Sequence, residues 1–403
     1  MKKHPKRVWI NLFLALFLFG PVSLWAEANS ELSRAEGGAP AAERDLYEID
    51  ADSESSVPGL KQELELRFNA YNRLFRFDPS LLSAPLKVKV ISDKETYDRY
   101  IKEQLGETRP GAVYLHYSDS NRRELVINWG SPDEASMLAP QAFLQYFRAF
   151  VPNPPSWMRE GFAIYFSSLR ANPSGKLEYQ ENLLWLESVK NLGDRLPSPS
   201  AILQTDVSDS LPTAAPEEFQ ISSWALVSFL LNSGPDYFRD LTDSFMVLSP
   251  LAQAPENSLA VMKRISLWND LDVMEKDFKA YLGSRKTYTE LIEDGQKAYS
   301  QGDIMNAELS FMTARDQRPA EFAPYYYLGL LSYEEKDYDA AEQNYKSSLE
   351  RGAEAALVNY ALGINAAAAE RVKDAIDYLQ KAASLDPARY KARVDDLLNK
   401  LRQ

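Results

Sequence analysis

The alternation of hydrophobic and polar positions divides this chain into blocks of different rhythm. Residues 60–77 carry Leu60, Leu64, Phe68, Tyr71, Leu74 and Phe75, the i, i+4, i+7 spacing of one buried helix face. Three strand-like runs follow at 86–91, 112–117 and 124–129, rich in Val, Ile and Tyr. Ser118, Asp119, Ser120 and Asn121 suit a hairpin turn between the last two. Helical rhythm returns at 139–150, where Pro140 is tolerated in the first turn, and at 156–169. Prolines 152, 154 and 155 stop the first of these helices and set the start of the second. Asp133 and Glu134 mark a helix start, where acids complement the dipole. Further helices are predicted at 180–192, 217–232, 236–248 and 272–282.

From residue 288 a second pattern takes over, with a period of 34. Gly295, Gly329 and Gly363 keep it, as do Ala307, Ala341 and Ala375, and Phe311, Tyr345 and Leu379. Pro319 and Pro387 lie two periods apart with Ala353 midway. Small residues let two helices approach, and large ones fill the space between neighbouring units. Residues 390–401 are predicted to form a solvating end helix.

Composition adds limits. Residues 27–59 are acidic and rich in Ser, Ala and Gly, and are expected to form a flexible linker. Residues 1–26 place Lys2, Lys3, Lys6 and Arg7 ahead of a mostly apolar run, the form of a signal peptide cleaved after Ala26 or Ala28. An uncleaved anchor is the alternative. Net charge is -13, and loss of those four cations takes the remainder to -17. Such a body is repelled by phosphate backbones and anionic lipid, so neither nucleic acid nor stable membrane insertion after cleavage is expected. There is no cysteine, which removes disulfides and thiolate chemistry. Together these features predict an exported protein of the bacterial periplasm or cell envelope.

Pro155, Trp157, Glu160, Gly161, Ala163, Tyr165 and Phe166 form a P-x-W-x-x-E-G-x-A-x-Y-F pattern. It resembles the second active-site helix of the peptidase MA-like (gluzincin-type) zinc peptidases. The Trp224-bearing stretch 221–231 is similar to a core helix of the same family. The resemblance implies an α+β domain over 60–285, with a small sheet plus helices. It also implies an H-E-x-x-H helix upstream and Glu160 as third zinc ligand. The upstream helix instead reads Gln141, Ala142 and Gln145 at the two ligand positions and the base. A neutral amide is a poor zinc ligand beside imidazole, and alanine accepts no proton. His116 is alone in its strand run, and no metal or other cofactor is expected. Glu160 is expected to hold Gln141 or Gln145 by a hydrogen bond across the two helices.

The 34-residue unit resembles the tetratricopeptide repeat. The resemblance implies an all-α solenoid over 286–403, three repeats with a C-terminal capping helix. It also implies a peptide-binding groove of Ile292, Gln296, Tyr299, Tyr326, Leu330, Tyr333, Tyr360, Ile364 and Ala367. The expected function is that of a catalytically inactive peptidase-like domain with repeats acting as a protein-protein interaction scaffold. The alternative is a hydrolase of unrecognised active-site type, using Glu160 and His116 in the same cleft.

Overall fold

A computed structural model describes residues 45–52, 57–171, 177–206 and 216–401. The chain divides into two compact units, Met1–Ser284 and Arg285–Gln403. The expected signal peptide and most of the expected linker lie outside the described residues.

The first unit runs β1 (Tyr47–Ala51), α1 (Val57–Phe75), β2 (Leu86–Ile91), α2 (Lys94–Leu105), β3 (Ala112–Leu115) and β4 (Glu124–Asn128). It continues through α3 (Glu134–Phe150), α4 (Ser156–Ser167) and a two-stranded ribbon of β5 (Leu169–Ala171) and β6 (Leu177–Tyr179). Helices α5 (Leu183–Leu192), α6 (Pro199–Gln204), α7 (Glu217–Asn232), α8 (Pro235–Ser244), α9 (Ala254–Ser266) and α10 (Leu271–Ser284) complete it. The main sheet has the order β1-β2-β4-β3, with β3 antiparallel to β4 and at the edge. This is a small sheet with helices.

The strands β1, β5 and β6 and the helices α2, α6 and α9 correct the sequence reading, which did not expect them. Residues 47–51, expected to belong to a flexible linker, form β1, paired in parallel with β2 from Tyr47 opposite Leu86 to Ala51 opposite Val90. Tyr47 is buried and its hydroxyl donates to the Leu64 carbonyl at 3.3 Å, which ties the strand to α1. Helix α2 was not expected at all. Its Asp93 cap accepts from the Thr96 N–H at 2.8 Å, and Tyr97 and Ile101, one turn apart, bury against Ile91, Leu115 and Val126. Helix α3 also begins five residues earlier than its apolar rhythm, at Glu134, so Pro140 sits inside it rather than in its first turn.

The core is aromatic. Phe68, Tyr71 and Phe75 of α1 meet Phe143, Tyr146 and Phe147 of α3 and Phe162 and Phe166 of α4. Several of these pairs are edge-to-face, such as Phe68 on Tyr146 at 5.1 Å between ring centres. Helix α4 lies so close to α7 that a Cβ on Gly161 would stand 2.4 Å from the Ser223 carbonyl oxygen. The glycine of the E-G-x-A motif is therefore required by helix packing, whatever its neighbour Glu160 does.

The second unit is an all-α solenoid of helix pairs: α11 (Tyr288–Ser300) with α12 (Ile304–Gln317), α13 (Ala323–Glu334) with α14 (Tyr338–Glu350), and α15 (Ala355–Ala368) with α16 (Val372–Leu385). Helix α17 (Pro387–Leu401) covers the last pair with Tyr390, Val394 and Leu398. The glycine and large-residue registers meet within each pair. A Cβ on Gly295 would stand 2.5 Å from the Phe311 ring, on Gly329 2.6 Å from Tyr345, and on Gly363 2.7 Å from Leu379. Ala307, Ala341 and Ala375 are fully buried, and so is a further register of Ala314, Ser348 and Ala382.

The turn inside each pair repeats as well. Its left-handed residue is Gly302 at φ 74°, then Lys336 at φ 64° and Glu370 at φ 60°. Asp303 and Asp337 cap the second helices. Arg371 stands at the third such position and forms ion pairs with Glu342 and Asp374 instead.

Candidate functional site

Helix α3 runs along the sheet and presents both glutamines to it. The Gln141 Oε1 accepts from the Tyr114 backbone N–H of β3 at 2.8 Å. In an antiparallel ladder a residue's N–H and C=O point the same way, so this N–H faces away from β4 and out of the free edge. Gln145 Nε2 donates to the Lys87 carbonyl of β2 at 2.7 Å. Ala142, between them, is buried in the aromatic core. Gln141 thus satisfies a sheet N–H that would otherwise lack a partner, and Gln145 adds a second donor to a carbonyl of the parallel ladder.

Glu160 bonds neither glutamine, which corrects the expected bridge between the helices. Its Oε1 accepts from Arg159 Nε at 2.8 Å, and its Oε2 from Gln220 Nε2 of α7 at 3.3 Å. The carboxylate is therefore held by its own neighbour and by the helix that Gly161 admits. One turn before it, Ser156 Oγ donates to Asp206 at 2.8 Å. His116 follows the end of β3, half-buried, with its ring 5.9 Å from that of Tyr114. Among the described residues, no three His, Asp or Glu side chains are grouped as a metal ion would need. Gln220 was not legible as a partner, because it lies 60 residues from Glu160 and carries no motif of its own.

The nine expected groove residues fall on the first helices of the three pairs, and most also pack between neighbouring helices of the second unit. Ile292 and Tyr299 lean on Phe311, Leu328 and Leu331. Tyr326, Leu330 and Tyr333 lean on Tyr345, Val358 and Leu362. Tyr360 lies 5.0 Å from the ring of Tyr390. Ile364 and Ala367 are half-buried, and Gln296 is exposed. Two polar links join the first pair to the second: Gln296 Nε2 to the Tyr327 hydroxyl at 2.6 Å, and the Tyr299 hydroxyl to Glu334 at 2.5 Å. Burial and the Glu334 carboxylate together push the Tyr299 hydroxyl up to about 12.

The run Tyr325, Tyr326 and Tyr327 splits three ways. Tyr325 sits under the Arg351 guanidinium at 4.0 Å, Tyr326 faces Tyr345, and Tyr327 stacks on Phe311 at 4.7 Å. Among the described residues, no helix is long and apolar enough to cross a membrane.

No protein-family profile matches this sequence, and no curated protein matches it. Solved structures similar to parts of it include the first TPR of Spaghetti (RPAP3) bound to an HSP90 peptide, 17% identical with a TM-score of 0.27, covering 29% of this chain and 90% of that one. The Arabidopsis OM64 TPR domain is 18% identical with a TM-score of 0.27, covering 28% and 94%. MamA from Desulfovibrio magneticus RS-1 is 20% identical with a TM-score of 0.27, covering 42% and 85%.

Proposed function

We propose that this chain is an exported bacterial envelope protein that works as a protein-protein interaction scaffold. In this reading its first unit is a peptidase MA-like domain without zinc chemistry. Its tetratricopeptide-like second unit receives an extended, apolar segment of a partner protein along Gln296, Tyr299, Leu330, Tyr333, Ile364 and Ala367. The observation that carries the reading is the use made of Gln141 and Gln145. Both amides are committed to sheet backbone, and Glu160 is committed to Arg159 and Gln220. Gln141 and Glu160 keep their oxygens on contacts that the fold uses, and Gln145, held to Lys87 by its nitrogen, turns its oxygen to a cavity that neither of the other two lines.

Two measurements test this. Zinc content after dialysis is expected to be negligible, and Glu160→Gln is expected to lower stability slightly and to alter no hydrolysis. Stoichiometric zinc, with a hydrolytic activity that dies in Glu160→Gln, overturns the reading in favour of a hydrolase. Crosslinked pull-down from the native envelope, with the full chain and with one truncated after Ser284, locates the partner surface. Loss on truncation supports the scaffold role, and retention moves the function into the first unit.

A further inference from the structure

Beside Gln145 lies a cavity of about 120 Å³, bounded by the 81–85 loop, the start of β2, Tyr114 of β3, the 120–123 turn and Ala149 of α3. Three features set it apart. Gln145 is 2% exposed, and its Oε1 has no hydrogen-bond partner. The orientation of this amide follows from its other end: the Lys87 carbonyl can only accept, so the nitrogen faces it and the oxygen is left over. A buried acceptor without a donor is costly, and it calls for an N–H or O–H from outside the chain.

The second feature is charge. The lining includes Lys87 and Arg123 and no carboxylate, in a chain of net charge -13. Among the described residues, neither cation forms an ion pair. Lys87 Nζ donates to the Asn121 carbonyl at 3.0 Å, and Arg123 donates to the Tyr117 and Ser118 carbonyls at 2.7 and 3.3 Å. These bonds to backbone hold the two cations in place while leaving their charge uncompensated. The third feature is the field at Tyr114. Burial pushes its hydroxyl up to about 12, against the opposing pull of Arg123 and of the buried Arg148 behind it. The lining therefore combines positive charge with an unmet hydrogen-bond acceptor.

We propose that this cavity binds a small carboxylate that also carries a hydrogen-bond donor: an α-amino acid, an α-hydroxy acid, or the C-terminal residue of a peptide. The carboxylate lies against Arg123 and Lys87, and the donor reaches Gln145 Oε1. The volume is sufficient for a group the size of glycine, lactate or alanine. The inference stands on the cavity alone and does not depend on the scaffold reading above.

Calorimetric titration of the full chain tests it, with L-alanine, L-lactate, acetate, alaninamide and Ala-Ala as probes. L-alanine or L-lactate is expected to bind, acetate about tenfold more weakly for want of a donor, and alaninamide not at all. Comparable binding of Ala-Ala identifies a peptide end as the source, and its exclusion identifies the free acid. Arg123→Gln is expected to weaken binding about tenfold. Ala149→Leu fills the space and abolishes it, without altering either cation. Circular dichroism and melting of both variants confirm that they fold. Equal binding of acetate and alanine, indifference to Arg123→Gln in a folded protein, or no binding by any carboxylate at millimolar concentration each overturns the proposal. In the last case the cavity holds water only.

Discussion

In the first unit, α4 meets α7 where Gly161 lets a backbone lie against the Ser223 carbonyl. In the second, three glycines each lie against a side chain of the following helix: Phe311, Tyr345 and Leu379. The first contact is backbone on backbone and, between two helices, is made once among the described residues. The second is backbone on a ring or a branched chain and recurs every 34 residues. A carbonyl in a helix cannot step aside without breaking the helix, whereas a ring can tilt. The first unit is therefore built around one unforgiving crossing, and the second around a tolerant one used three times.

Alanine at these glycines measures that difference most directly. Gly161→Ala is expected to cost about 2 kcal/mol net, because overpacking of up to ~3 kcal/mol exceeds the ~1 kcal/mol that alanine returns as helix propensity. Gly329→Ala is expected to cost about half as much, since Tyr345 can shift against Tyr326. Denaturant unfolding of the full chain, with a probe in each unit, reads both. Equal costs would erase the distinction.

The turns sharpen the comparison in the opposite direction. Lys336 and Glu370 occupy the left-handed conformation that Gly302 adopts freely in the first pair. Lys336→Gly and Glu370→Gly should each stabilise the second unit by about 0.5–1 kcal/mol, the left-handed penalty less the entropy of an added glycine. A melting temperature that falls instead would mean that these side chains hold something in place.

The smallest effect belongs to Glu342, which pairs with Lys346 and Arg371. Burial alone would raise its carboxyl, but the hydrogen bonds from Lys346 and Arg371 outweigh it and hold the group below 4.5. A depressed folded value means stability that is present above about 4.5 and lost as pH falls through the folded value. Glu342→Gln should therefore lower the melting temperature at neutral pH, by an amount that shrinks as the pH falls below about 4.5. A pH-independent difference would rule out the ion pair as its cause.

The same contrast governs how much could be read without the structure. Periodicity announced the second unit, because each contact recurs and Gly295, Gly329 and Gly363 point to their own partners. Even there the buried register of Ala314, Ser348 and Ala382 went unread, since Ser348 breaks the chemical likeness. In the first unit the strands at 86–91 and 124–128 were legible from their Val and Ile content. Strand β1 was not, because its five residues alternate inside an acidic stretch whose composition reads as linker. Helix α2 buries only Tyr97 and Ile101 and so shows almost no apolar face. At the candidate site the glutamines were located correctly along α3, but their partners were not. Tyr114 and Lys87 contribute backbone atoms, and backbone atoms leave no mark in a sequence.

The Gln141 amide has a consequence for the life of this protein among copies of itself. Strand β3 ends the sheet, and an exposed edge invites a strand from another molecule to continue it. By answering the Tyr114 N–H from within, Gln141 makes the edge a poor template at that rung. A single side chain thus works against the addition of a foreign strand at this end of the sheet.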